Sequence, residues 1–191
     1  MRDKAISEAV QALRNGGVIA YPTESVYGLG CDPANTESIK RLLALKQRQR
    51  DKGLILIASD FAQLSPYLID IDERLQQAVH ASWPGPVTWL WPARSDLSRW
   101  LRGQHETLAV RVSAHPIAAK LCEQFGGALI STSANLAHQP PARSAQQVRE
   151  LFGDDLNYIL EGETGGYPAP TEIRDVLSGN VIRAVEEKNH Q

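Results

Sequence analysis

Two of the 191 residues are cysteine, Cys31 and Cys122, and they stand far apart in no CxxC pair. That excludes a disulfide scaffold; both read as burial-prone free thiols of a reducing compartment. No stretch approaches the ~20 apolar residues that cross a bilayer, and the opening MRDKAISEAVQALRNGG has no signal-peptide core. The expectation is a cytoplasmic protein with no membrane partner. Charge of one sign is scarce too. The formal net charge is -2, so contact with nucleic acid has to come from a local patch.

Standard catalytic motifs are also missing. There is no GxxxxGK[ST] phosphate loop, no GxGxxG after a strand and no GxSxG nucleophile elbow. His80, His105, His115, His138 and His190 show no metal-ligand spacing. A nucleotide-using enzyme with this sequence must hold phosphates by another arrangement.

The composition that remains is ordinary, 42% hydrophobic and 22% charged, which excludes disordered and collagen-like chains. The length suits one domain, 1–191 with a core from about 4 to 185. Ile6, Val10 and Leu13 mark a helix from Asp3 to Asn15, stopped by Gly16 and Gly17. Helical spacing recurs over Thr36 to Leu45, Asp72 to Ala81 and Pro116 to Phe125. Ser144 with Gln147 predicts a capped helix through Phe152. Short apolar runs predict strands at Val18–Tyr21, Leu54–Ala58, Val87–Trp91, Leu108–Val112 and Ala128–Ile130, with brief ones near Tyr158, Glu172 and Val181. Leu54–Ala58 is apolar on both faces and therefore central. Helices and strands without strict alternation imply one α/β domain on a twisted mixed sheet with flanking helices.

Four segments carry polar chemistry. Tyr21 to Gly30 reads YPTESVYGLG: a strand ends in hydroxyls, followed by flexible backbone suited either to a plain turn or to close approach of a ligand. Lys40 to Lys52 holds six basic residues and one acid; it is either a solvated helix end or a site that neutralises a polyphosphate. Arg111 lies inside an apolar strand pattern, where it must meet a carboxylate of the core or of a ligand. Ser131-Thr132-Ser133-Ala134-Asn135 follows a strand and can bond a ligand or cap the next turn. Trp89 and Trp91 read as core, and Gly162 to Gly166 as a turn, since no lysine or helix pattern follows it.

YPTESVYGLG, LKQRQRDKGL, SWPGPVTW, TLAVRV and STSAN occur in the order that marks the YrdC-like family, the threonylcarbamoyl-AMP synthases, and the likeness spans nearly the whole chain. Relatives often carry Ser-Gly after the SAN tripeptide, where this chain has Leu136 to Pro141. The resemblance implies the short single-domain form and a large open positively charged cavity. It implies that L-threonine, bicarbonate or carbon dioxide, and ATP give threonylcarbamoyl-AMP and pyrophosphate, with Mg2+ accompanying ATP and no protein ligands assigned to the metal. A partner complex would then transfer the group to an adenosine of tRNAs reading codons that begin with A, with direct tRNA contact an open addition. Carried over by position, Lys46, Arg48 and Lys52 are the catalytic phosphate grip, and Thr107, Ser133, Asn135 and Arg183 complete ATP binding. Thr23, Ser25, Arg111, Ser131 and Thr171 would hold threonine.

Two other functions compete. An RNA-binding or ribosome-maturation factor would use only the Lys40–Lys52 patch on a concave surface. A carbamoyl-transfer domain of hydrogenase-maturation type shares a similar fold but sits in much larger proteins with zinc motifs, which this chain lacks.

Overall fold

Ile6, Ala9, Val10 and Leu13 recur at three- and four-residue spacing, and they form the buried face of helix α1 (Arg2–Arg14). Gly16 ends it with a positive φ of 77°, a conformation that glycine adopts without a Cβ penalty. The computed structural model describes residues 2–168 and 171–184; the expected core limit at 185 lies outside them. Five more helices occur among the described residues: α2 (Thr36–Leu45), α3 (Glu73–His80), α4 (Arg99–Arg102), α5 (Pro116–Phe125) and α6 (Ala145–Phe152). Ser144 caps α6 by accepting the Gln147 N–H, and the Gln147 side chain accepts the Arg143 N–H in return. That is the expected box, displaced by one residue on its return bond.

Nine strands form one sheet among the described residues. They are β1 (Ile19–Pro22), β2 (Tyr27–Gly30), β3 (Ile55–Ala58), β4 (Val87–Pro92), β5 (Thr107–Val112), β6 (Leu129–Ser133), β7 (Tyr158–Ile159), β8 (Glu172–Asp175) and β9 (Val181–Arg183). The order is β7-β1-β2-β6-β3-β5-β4-β8-β9. Pairs β1–β7, β3–β5 and β4–β8 are parallel and the others antiparallel, so the sheet is mixed. Strand β3 sits in its middle, as its apolar faces require.

Period-two alternation divides the sheet into two faces. Leu56, Ala58, Val110 and Ile130 point into one core with α2 and α6, whereas Ile57 and Leu129 join α1 and α5 on the other side. On that second face the helices cover only part of the strands. Ile55, Thr107, Ala109, Arg111, Ser131 and Ser133 share its parity, and all line an open cavity.

Two expectations change. Tyr27 to Gly30 is a strand and not a flexible turn. Its glycines serve close packing: a Cβ on Gly30 would lie 2.4 Å from the Ile130 carbonyl oxygen. Strand β6 runs on through Ser133, so the hydroxyls at 131 and 133 are strand side chains and not a loop after the strand. Alternation then aims both at the cavity. The short α4 carries no periodic signal and was not expected.

The cavity rim near β3 depends on a glycine contact. Gly103, at φ 66°, would place a Cβ 2.5 Å from the Asp51 carbonyl oxygen and 2.8 Å from the Gly53 nitrogen. Gly103→Ala should therefore lower unfolding stability by about 2 kcal/mol or more, read from urea denaturation. A loss under about 0.5 kcal/mol, the size of a neutral surface change, would mean that the two turns are free to separate.

Candidate functional site

The cavity measures about 430 Å3, within the range that takes small-molecule ligands. Ten of the residues expected at the site line it: Thr23, Ser25, Arg48, Lys52, Thr107, Arg111, Ser131, Ser133, Thr171 and Arg183. Lys46 and Asn135 do not line it; they support it from behind. No Asp or Glu is among the lining residues, while Arg48, Lys52, Arg102, Arg111 and Arg183 are.

At one end stands Arg111 on β5, 4% exposed. The sequence left open whether its carboxylate partner is in the core or on a ligand, and the core holds one. Glu24 lies 3.5 Å from Arg111 Nη2 and is itself buried. Arg111 Nη1 donates to the hydroxyls of Thr88 and Thr171, each at 3.0 Å. Glu24 Oε1 accepts from the Ser113 hydroxyl at 2.7 Å and the Ala114 N–H at 3.1 Å. One pair thus ties the β1–β2 turn, β4, β5 and the segment before β8 together. Glu24 was overlooked as a site residue; the signal was there, since it is the one acid in the YPTESVYGLG segment.

The turn carrying Glu24 is strapped down. Gly165 N–H donates to the Thr23 carbonyl and Tyr167 N–H to the Glu24 carbonyl. Thr23 Oγ1 donates to the Val26 carbonyl at 2.7 Å, and Ser25 Oγ to the Tyr167 carbonyl at 3.2 Å. Their protons are committed, which leaves lone pairs toward the cavity. The glycine-rich stretch, expected as a turn, instead lies as irregular chain against this one, held by the Gly165 and Tyr167 N–H groups. A Cβ on Gly165 would come within 2.8 Å of the Glu24 carbonyl oxygen. Arg183, across β9, donates to the Thr171 carbonyl through Nε and Nη2.

The other end is built from the basic run and the SAN tripeptide. Lys46, at the α2 C-cap, is 4% exposed. Its ammonium donates to the carbonyls of Ser133 and Asn135 and to Asn135 Oδ1, and the Ser133 hydroxyl donates to the same Oδ1 at 2.6 Å. No carboxylate pairs with it among the described residues. Burial first, and the Arg48 charge second, bring its pKa down to about 8. Arg48 donates from Nη2 to the Gly53 carbonyl, its Nε is buried without a partner, and burial lowers its pKa. Lys52 closes a single 3-10 turn, Arg50–Lys52, at the rim.

Sequence reasoning missed Arg102 and His105, which line the same end from α4 and the segment before β5. No local pattern distinguishes them from other polar residues of the chain. Trp89 and Trp91 are buried, as expected of core residues. Among the described residues no three His, Cys, Asp or Glu side chains converge as a metal site, and no helix is long and apolar enough to cross a membrane.

The Sua5–YciO–YrdC family model, described as telomere recombination, matches residues 11–185. The threonylcarbamoyl-AMP synthase of Nitrosococcus oceani is 55% identical over 175 residues, covering 92% of this chain and 95% of the relative. That of Serratia proteamaculans is 56% identical, covering 91% and 93%. Among solved structures, P. abyssi Sua5 complexed with L-threonine superposes with a TM-score of 0.84 at 33% identity. The match covers 89% of this chain and 50% of that one, so the chain spans about half of the longer protein.

Burial pushes the Glu24 carboxyl up, but the Arg111 guanidinium and the Ser113 hydroxyl outweigh it and hold the group below its ordinary 4.5. Stability from such a carboxylate is present above its unfolded pKa and lost as pH falls through the folded one. Glu24→Gln should cost about 3 kcal/mol at pH 7 by leaving Arg111 unpaired. In urea unfolding that deficit should shrink as pH drops below 4.5. A deficit constant down the acid limb would show that Glu24 is not ionised in the fold.

Proposed function

The chain belongs to the Sua5–YciO–YrdC family, and from that membership we propose that it is a threonylcarbamoyl-AMP synthase, a nucleotidyl-transferring enzyme acting on L-threonine, bicarbonate and ATP. The observation that carries the reading is one cavity with a partnered arginine and hydroxyls at one end and unpaired cations at the other. An amino acid suits the first end, where Arg111 offers charge to its carboxylate and the lone pairs of Thr23 and Ser25, with Thr171 beside them, can accept from its amine and hydroxyl. A polyphosphate suits the second, where Arg48 and Lys52 need counter-charge. Ser131 and Ser133 lie between them on β6, at the junction where the two substrates react.

In this reaction bicarbonate, protonated and losing water, supplies carbon dioxide; the threonine amine adds to it and releases a proton to give a carbamate, and a carbamate oxygen attacks the α-phosphorus of ATP. The new O–P bond forms as the bond to the β-phosphate bridging oxygen breaks, and pyrophosphate carries the electron pair away. No protein nucleophile is required; positioning and charge stabilisation do the catalysis. Lys46 contributes through the loop it holds: its three donors set Ser133 and Asn135 in place, and its unpaired charge lies behind the phosphates. Thr107 and Arg183 flank the nucleotide. Among the described residues no carboxylate lines the cavity; Mg2+ would accompany ATP as part of the substrate MgATP.

The RNA-binding alternative uses the basic segment only and leaves the Arg111–Glu24 cluster without a task, so it is not favoured. The labile product passes to a partner complex that modifies tRNA; direct tRNA contact would use the exposed cations of the same rim. We place this chemistry in the cytoplasm, with ATP and tRNA, and treat residues 1–191 as one domain.

Purified protein with MgATP, bicarbonate and L-threonine should release pyrophosphate only when threonine is present. Arg111→Lys, which loses the planar fork, should raise KM for threonine about tenfold or more. Release independent of threonine, or an unchanged KM, would contradict the assignment of that end.

Lys46 supplies a separate readout. Phosphates near an ammonium of pKa about 8 raise that pKa, so ATP binding at pH 8 should take up as much as roughly half a proton. Calorimetry in two buffers of different ionisation enthalpy measures this, and Lys46→Met should abolish the uptake. Equal uptake in the variant would place the phosphates elsewhere.

A further inference from the structure

Strands β3 and β5 are parallel, so the segments that lead into them lie side by side at one end of the sheet. Their register pairs Ile55 with Ala109 and Ile57 with Arg111; continued two residues back, it sets Gly53 beside Thr107. The segment before β3 carries Arg48 and Lys52, and the one before β5 carries Arg102 and His105. All four line the cavity. Arg111 stands four residues further along β5, about 13 Å away by strand rise.

The two segments are joined backbone to backbone. Leu54 N–H donates to the Leu101 carbonyl at 3.0 Å, and Gly103 lies against Asp51 and Gly53 too closely for any side chain. Arg102 is held by its own loop, with Nη1 donating to the His105 carbonyl at 2.7 Å and Nε to the Leu97 carbonyl at 3.5 Å. Its Nη2 makes no hydrogen bond among the described residues. No salt bridge reaches Arg48, Lys52 or Arg102 among those residues, and Arg48 Nε is buried without a partner. Arg48, Lys52 and Arg102, gathered on a rigid platform with no carboxylate bridged to them among the described residues, repel one another until an anion joins them.

The identity of that anion follows from the direction of the reaction, and this inference rests on the synthase reading above. In an in-line displacement the leaving group departs opposite the attacking oxygen. With the threonine carboxylate at Arg111, the carbamate attacks from that side, so pyrophosphate leaves toward the far end of β5. We propose that Arg102 and His105 complete, with Arg48 and Lys52, the subsite that grips the β- and γ-phosphates of ATP and holds pyrophosphate as it departs. The two residues bind the leaving group and have no part in holding threonine.

The test compares wild type, Arg102→Gln, Arg102→Lys and His105→Gln by incorporation of labelled threonine into the adenylate, with pyrophosphate or AMP added as inhibitor. Arg102→Gln should raise both KM for ATP and the inhibition constant of pyrophosphate about tenfold. KM for threonine and inhibition by AMP should stay within about twofold. His105→Gln should move the same two constants by a smaller factor, and Arg102→Lys, which keeps the charge, should recover most of the loss. Unchanged pyrophosphate inhibition in both glutamine variants would overturn the proposal. So would a parallel rise of all four constants, the mark of a general loosening. Wild type without threonine-dependent turnover would instead sink the synthase reading, before any variant is made.

Discussion

The buried Arg111–Glu24 pair is the contact on which the cavity depends. Both side chains are nearly sealed from water, so neither is tolerable without the other or an equivalent partner. Because Glu24 sits in the β1–β2 turn and Arg111 on β5, their attraction draws that turn across the sheet face. Thr88 on β4 and Thr171 before β8 then close around the guanidinium. Removing water from two charges is costly, and an apolar pair of the same shape would stabilise the fold as well. A guanidinium held in one orientation at a cavity wall is what the ion pair provides and an apolar pair would not.

The second constraint is the uneven distribution of charge. The chain as a whole is slightly acidic, yet the cavity is lined by arginine and lysine with no carboxylate among its lining residues. Lys46 is kept ionisable at a depressed pKa by carbonyls alone, and Arg48 keeps a bare buried nitrogen. Such an arrangement lowers stability in the empty protein, and on the proposed function the entry of anionic substrate restores it. Binding energy of that kind is available where the phosphates carry their charge.

Alternation along strands converts these demands into sequence. On β5, Leu108, Val110 and Val112 face the core while Thr107, Ala109 and Arg111 face the cavity. The same rule on β6 puts the Ser131 and Ser133 side chains on the cavity face of the strand. Helices α1 and α5 cover only the far part of this face, and the uncovered part is the site.

Much of this was legible in advance. Helices α1, α2, α5 and α6 and the central β3 follow from apolar spacing, caps and glycine stops, because those signals are local. The ordered motifs, from YPTES to STSAN, named the family and ten residues that do line the cavity. What local signals could not show was the β2 strand, whose Gly30 answers to the Ile130 backbone across the sheet, and the place of Lys46, whose donors turn inward to Ser133 and Asn135. Nor could they show Glu24 beneath Arg111, or Arg102 and His105 beside Lys52. The sequence by itself determined most of the helices and strands, β2 and the short α4 apart, and which chemistry they carry, since those depend on neighbours a few residues away. Only the tertiary structure decided which charges meet, because strand register and a folded-over turn bring together residues dozens of positions apart.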